Sequence, residues 1–283
     1  MDERNRCITE EKKDKFREYL MEMERSENTI DSYMRNLNLF FKRYSEVNKK
    51  NMLDFKKWQM EKWKPKTAHN RIIALNQFCK FIGHPEYCVR TIRIHKSSSV
   101  ENVITLEEYH RLLNGLKEDN NEKGYWMIKY LAKTGARVSE FVRMTKDCLD
   151  AGYCEMWTKG KIRRIYVPKS LIEESQDFFE QSDSIYLFTN RKGQMYSTRG
   201  VAENIKRWAK KYGIREEVAH PHSFRHLYAI EFLKHNSNIA LLADLMGHSD
   251  VSTTSIYLRL SREEQMNQFN QASEWGVIIG WKF

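Results

Sequence analysis

The sequence predicts a mainly α-helical protein in two domains, the second carrying one small β-hairpin. Three observations predict it. Only 12 Gly and 4 Pro occur in 283 residues, so helix breakers are few. Apolar residues recur at spacings of three and four along most of the chain. A polar, aperiodic stretch, His95-Lys96-Ser97-Ser98-Ser99-Val100-Glu101, splits that pattern in two. Domains are therefore expected at residues 1–94 and 102–283, with a linker at 95–101. Hydrophobic residues make up 41% of the chain, enough for a real core and too many for a disordered one.

The first half reads as four helices. Phe16, Leu20 and Met23 mark a helix over residues 10–25. Ser26 is a candidate N-cap for the next, whose stripe is Tyr33, Leu37, Phe40, Phe41 and Tyr44. A third helix covers residues 51–63. Pro65 and Thr67 open a fourth, with Ile72, Leu75, Phe78, Cys79 and Ile82 on its apolar side. Gly83-His84-Pro85 stops it.

The second half opens on Thr105-Leu106-Glu107-Glu108, which has the form of a capping box. Residues 126–133 and 138–145 read as helices separated by Gly135. Residues 152–168 lose the helical period. Tyr153, Glu155 and Trp157, then Ile162, Arg164 and Tyr166, alternate as two short strands around Lys159-Gly160-Lys161. The remainder, apart from 182–198, reads as helix. After Tyr257 a capped helix is expected from Ser261, with Met266, Phe269 and Ala272 following.

Charge is unevenly spread. The net charge is +10. Residues 1–34 carry 7 Lys/Arg against 10 Asp/Glu, whereas residues 35–96 carry 15 against 4, a net of +11. Tyr44, Trp58, Trp63 and several Phe are interleaved with these lysines. Helices that turn the aromatics inward and the lysines outward make a surface suited to phosphates. A solvated basic face, or an acidic protein partner, fits the same counts. The apolar runs fall well short of a membrane span, and no signal peptide is visible. Five scattered cysteines without a CxxC read as reduced thiols of a cytoplasmic protein.

Four segments carry chemistry. They are Thr134-Gly135-Ala136-Arg137-Val138-Ser139-Glu140, the hairpin Lys159-Gly160-Lys161, His222-Ser223-Phe224-Arg225-His226, and Leu245-Met246-Gly247-His248 with Tyr257 nine residues on. Singly, each has a plain explanation. Arg137 and Glu140 have the spacing of a helix ion pair. A lysine in a turn is normally solvated. His222 and His226 have the spacing of a metal pair, but no HExxH or Cys/His framework supplies a third ligand. Tyr257, between Ile256 and Leu258, suits a core. Together, two arginines, a lysine and two histidines suit a phosphodiester, because the guanidinium fork matches two non-bridging oxygens. A tyrosine hydroxyl beside them is a nucleophile for phosphorus, with charge neutralised by side chains rather than a metal.

In this order, Arg, hairpin Lys, HxxR, Gly-His and Tyr, the chain resembles the tyrosine recombinases, the lambda-integrase family. HPHSFRH resembles the family's TPHxLRH pattern, LMGHSDVSTTSIYLRL resembles its LLGHSSIxTTxIYTHV motif nearly position by position, and the hairpin running to Tyr166-Val167-Pro168 resembles its GKG-to-VP segment. SENTIDSYMRNLNLFFKRY and KPKTAHNRIIALNQFCKFI resemble its helical core-binding domain. The resemblance covers roughly residues 10–260.

It implies a SAM-like N-terminal DNA-binding domain and a mostly helical catalytic domain with a small hairpin. It implies that Tyr257 is the nucleophile, forming a 3′-phosphotyrosyl link, and that Arg137 and Arg225 clamp the scissile phosphate. Lys159 is then the general acid for the leaving 5′ oxygen, with Lys161 its rival. His222 lies beside the phosphate as an acid/base or hydrogen-bonding group. His248 donates to the phosphate, and Glu140 orients the site. His220 and His226 are supporting only. No cofactor or metal is implied. The implied partner is double-stranded DNA with inverted core repeats, bound by a homotetramer on two sites that passes through a Holliday junction, with the tail donated to a neighbour. A type IB topoisomerase-like enzyme shares this chemistry, and a non-catalytic DNA-binding relative shares the fold. A metal hydrolase built on His220, His222 and His226 is the third alternative.

Overall fold

The computed structural model describes residues 10–94, 103–158, 161–248, 250–258 and 270. The chain divides into two compact units, Met1–Lys96 and Ser97–Phe283.

The first unit contains α1 (Glu10–Glu22), α2 (Glu27–Phe41), α3 (Lys49–Lys62) and α4 (Pro65–Phe81), then a 3-10 turn at Pro85–Tyr87. Ser26 does stand at the N-cap of α2, but its hydroxyl meets Thr29 Oγ1 at 2.9 Å and caps no backbone N–H. Pro65 opens α4 where a missing N–H costs nothing. The predicted stripes meet in one core, with Phe16, Leu20, Leu37, Phe40, Phe55, Ile72, Leu75 and Phe78 buried. Its rings pack edge to face, Phe16 on Phe78 at 5.1 Å and Phe40 on Phe55 at 5.2 Å. Lys49, Lys50, Lys57, Lys62, Lys64 and Lys66 stay exposed. Not every aromatic turns inward. Trp63 is 47% exposed and lies under the Arg71 guanidinium at 4.3 Å.

The second unit opens with α5 (Leu106–Glu118), α6 (Glu122–Thr134), α7 (Val138–Phe141) and α8 (Asp147–Ala151). The capping box forms as expected: Glu108 N–H donates to Thr105 Oγ1 at 3.1 Å, and Thr105 N–H to Glu108 Oε2 at 3.0 Å. The antiparallel hairpin β1 (Tyr153–Thr158) and β2 (Lys161–Tyr166) follows. Then come α9 (Lys169–Glu180), α10 (Thr198–Lys211), α11 (Pro221–His235) and α12 (Ile239–Met246). The core gathers around α6, where Met127, Ile128, Tyr130 and Leu131 pack with Phe141, Phe179, Phe188, Ile205 and Phe224.

Hairpin register pairs Tyr153 with Tyr166, Glu155 with Arg164 and Trp157 with Ile162. Of these, Glu155, Trp157, Ile162, Arg164 and Tyr166 are exposed, while Cys154, Met156 and Ile165 on the alternate face are buried.

Three expectations need correction. Residues 142–145 do not continue a helix. Backbone bonds across to 185–187 replace it: Lys146 N–H donates to Ile185 O, and Leu187 N–H to Met144 O. Residues 251–258 are not α-helix but two 3-10 turns, Val251–Thr253 and Ser255–Leu258. The segment is rich in β-branched and hydroxyl side chains, and Asp250 accepts from Ser252 N, which offers the backbone an alternative to the α-helical ladder. Cys148 and Cys154 are joined in a disulfide, so that pair is not two free thiols. Gly152, in the left-handed conformation, turns α8 into β1 and brings their Cα atoms to 4.7 Å. The tail expected as helix from residue 261 lies outside the described residues, apart from Asn270. Among the described residues no helix is long and apolar enough to cross a membrane.

Candidate active site

The last carbonyls of a helix lack intrahelical partners and carry its negative dipole end. At the end of α12 three consecutive carbonyls accept from three different arginines. Leu245 O takes Arg163 Nη2 at 2.8 Å, Met246 O takes Arg225 Nη2, and Gly247 O takes Arg137 Nη2 at 2.9 Å. Residues from β2, α11 and the start of α7 are thereby fixed on one point. Gly247 makes this possible twice over. Its φ of +59° suits glycine, and a Cβ there would lie 2.4 Å from Arg163 Cδ.

Glu140 holds two of the three cations. Its carboxylate is 4% exposed and accepts from Arg137 N at 2.7 Å, from Arg137 Nη1 at 2.9 Å and from Arg163 Nη1 at 2.5 Å. Burial pushes the Glu140 carboxyl up, but the Arg137 N–H and the Arg163 and Arg137 guanidiniums more than offset it, and the pKa falls below the ordinary value. Arg137 itself stays half-buried, with its side chain 36% exposed.

Arg225 is 1% exposed. Besides Met246 O it donates to Gly135 O, the αL residue that ends α6. Gly135 packs so closely that a Cβ would lie 2.5 Å from the Tyr228 ring. Burial, then Arg137 and Arg163, push Arg225 down to about 9. Its Nε is buried without a partner among the described residues. Three guanidiniums gathered here with one carboxylate, which pairs with only Arg137 and Arg163, leave positive charge for an anion to neutralise.

His248 Nε2 lies 3.1 Å from Arg225 Nη2, and its Nδ1 lies 2.7 Å from Thr254 Oγ1. A guanidinium only donates, so Nε2 accepts, and Nδ1 carries the proton given to Thr254. Burial, then Arg225, lowers His248 to about 4. In this arrangement His248 Nε2 accepts from Arg225, so the expected donation to phosphate requires the other tautomer or an imidazolium.

Tyr257 Oη lies 2.6 Å from His226 Nδ1. Burial raises the tyrosine to about 12. His222, one turn before His226 on α11, is exposed, and the two rings meet edge-on with centroids 4.3 Å apart. His220 serves another purpose: its Nδ1 caps α11 by accepting from Ser223 N at 3.1 Å. Among the described residues no group of His, Cys, Asp and Glu is arranged to hold a metal ion. Lys159 lies outside the described residues. Lys161 pairs with Thr158 in the hairpin register.

Residues 102–264 match the phage integrase family, and residues 14–84 match the family's N-terminal SAM-like domain. This chain is a member of that family, the tyrosine recombinases. It is a site-specific recombinase that breaks and rejoins DNA. Its relatives include tyrosine recombinase XerD of Staphylococcus epidermidis, 26% identical over 275 residues covering 87% of this chain and 92% of the relative. Tyrosine recombinase XerA of Pyrococcus furiosus is 26% identical over 287 residues, covering 98% of this chain and 99% of the relative. Among solved structures, a lambda integrase dimer bound to a core site superposes with TM-score 0.71 at 17% identity, covering 89% of this chain and 78% of that one. XerH bound to its difH substrate gives 0.63 at 18% identity, covering 88% and 79%.

The recombinase therefore brings together Arg137, Glu140, Arg225, His248 and Tyr257. Arg163, Thr254 and the Tyr257 contact of His226 were not expected. A signal existed for Arg163, since strand alternation puts residue 163 on the buried face with Cys154, Met156 and Ile165. A charged residue on that face needs a partner. No sequence signal pairs Thr254 with His248.

Proposed function

We propose that the recombinase cuts each strand by attack of Tyr257 Oη on the scissile phosphorus, leaving a 3′-phosphotyrosyl link and a free 5′ hydroxyl. Arg137 and Arg225 hold the non-bridging oxygens, His222 and His248 bond the phosphate, and Glu140 keeps Arg137 in place. Lys159 gives the proton to the leaving oxygen. The covalent link conserves the phosphodiester energy, so neither ATP nor a metal is needed for rejoining. The observation that carries this reading is the convergence of Arg163, Arg225 and Arg137 on Leu245, Met246 and Gly247, next to the His226–Tyr257 pair.

The chain divides at 95–101 into a core-binding unit and a catalytic unit. Four protomers on two sites with inverted core repeats exchange strands through a Holliday junction. The reaction integrates, excises or inverts a DNA element, in the cytoplasm where such DNA lies. Duplexes selected from a randomised pool by the full-length chain supply the substrate for the test. Tyr257→Phe loses one oxygen, so it should bind such a duplex normally and give no covalent adduct on a denaturing gel. An adduct with the variant would overturn the assignment.

A further inference from the structure

We propose that His226 is a catalytic residue of the recombinase, the group that takes the proton from Tyr257 during attack and returns it during rejoining. This rests on Tyr257 being the nucleophile. Three observations carry it. The His226 Nδ1 to Tyr257 Oη contact, at 2.6 Å, is within the range for direct proton transfer. The ring lies on α11 immediately after Arg225, whose guanidinium is fixed by Gly135 O and Met246 O. The position of the acceptor is thus set by the same helix that sets the phosphate clamp. His222, the other histidine of the motif, is exposed and reaches His226 ring to ring.

The step balances. With the His226 proton on Nε2, Nδ1 accepts the tyrosine hydrogen. The Oη–H bond breaks towards Nδ1 as the Oη–P bond forms. The P–O5′ bond breaks, and the 5′ oxygen leaves with the electron pair and takes its proton from the hairpin lysine. His226 is left as an imidazolium carrying both protons. Rejoining reverses each transfer.

The charged neighbours make this acceptor depend on DNA. Burial first, then His222 and His220, Arg225 and His248, hold His226 down to about 3 in the protein alone. His222 and Arg225 come from α11 itself, His220 from its N-cap, and His248 from the segment after α12, while Tyr257 faces the ring from the last 3-10 turn. A phosphodiester seated against Arg225 and Arg137 brings negative charge to the same neighbourhood and offsets the cationic part of that depression. The proton acceptor is thereby strengthened when substrate is present and kept weak when it is not.

The test uses the full-length chain and a selected duplex, with single-turnover formation of the covalent adduct as readout. His226→Asn places an amide oxygen near the Nδ1 position, so it keeps a hydrogen bond to Tyr257 but cannot carry a proton. Cleavage should fall by about 10²–10⁴-fold with DNA affinity unchanged. Replacing Tyr257 by a fluorinated tyrosine of lower pKa should recover much of that loss. A 5′-bridging phosphorothiolate, whose leaving group needs no proton, should rescue Lys159→Ala and leave His226→Asn slow. Cleavage by His226→Asn at the unaltered rate, or rescue of it by the phosphorothiolate, would overturn the role of His226 alone. Failure of the unaltered chain to link to DNA through Tyr257 would overturn the nucleophile and this proposal with it.

Discussion

The two units handle cations in opposite ways. In the helical unit most cations sit at or near the surface: Lys57, Lys62 and Lys64 are exposed, Arg17 pairs with Glu27 and Asp31, and the half-buried Arg71 lies over Trp63. In the catalytic unit three arginines converge on one helix end, and Arg225 is 1% exposed. Surface cations attract any phosphate and are weakened by salt. Buried guanidiniums held in fixed directions do not reorganise when charge develops on phosphorus, and that is where rate is gained. On the proposed reading, this difference separates recruitment by the exposed lysines from chemistry at the arginine cluster.

The largest effect should come from removing the carboxylate that holds the cluster. Glu140→Ala leaves Arg163 buried and unpaired, and should destabilise the catalytic unit by about 3–5 kcal/mol in denaturant unfolding. A loss below 1 kcal/mol would mean that the three carbonyls of α12 suffice. Arg225→Lys comes next. A point charge cannot replace a fork that spans Gly135 O and Met246 O, so cleavage should fall by about 10²–10³-fold with affinity changed little. Equal losses in binding and cleavage would erase the proposed separation.

Much of this was legible in the sequence, for reasons that also explain what was not. Helical stripes such as Phe16–Leu20 and Leu37–Phe40 are local, and so is the Thr105–Glu108 box. The site motifs are short and ordered, so Arg137, Glu140, Arg225, His248 and Tyr257 could be named before their contacts were seen. What failed depends on distance along the chain. Arg163 finds Glu140 across 23 residues and Leu245 across 82. The sequence marks His226 only as a supporting residue, because nothing local joins it to Tyr257, 31 residues on. Residues 142–145 look helical locally, but Met144 O and Lys146 N bond instead to Leu187 N and Ile185 O.

A smaller effect follows from the imidazoles. His226 and His248 are held below the ordinary histidine value, at about 3 and about 4. As pH falls below about 6.5, the unfolded chain takes up protons at these positions and the folded chain does not. The stability is therefore complete above about pH 6.5 and declines as pH drops towards 4. Between pH 6.5 and 5 the Tm should fall by several degrees, and His248→Asn should flatten part of that slope. A variant as acid-sensitive as the unaltered chain would place the titrating groups elsewhere.

The most direct test of the separation between the units is single-turnover cleavage at saturating DNA, measured across a salt series alongside Kd on the same selected duplex. The affinity should fall with a slope of log K against log salt of about −0.9 for each phosphate contacted. The cleavage rate of the bound complex should stay level, because Arg163 and Arg225 are shielded from the ions that screen the lysines and the half-buried Arg137 is held in place by Glu140 and Gly247 O. A cleavage rate that declines in step with affinity would contradict the account.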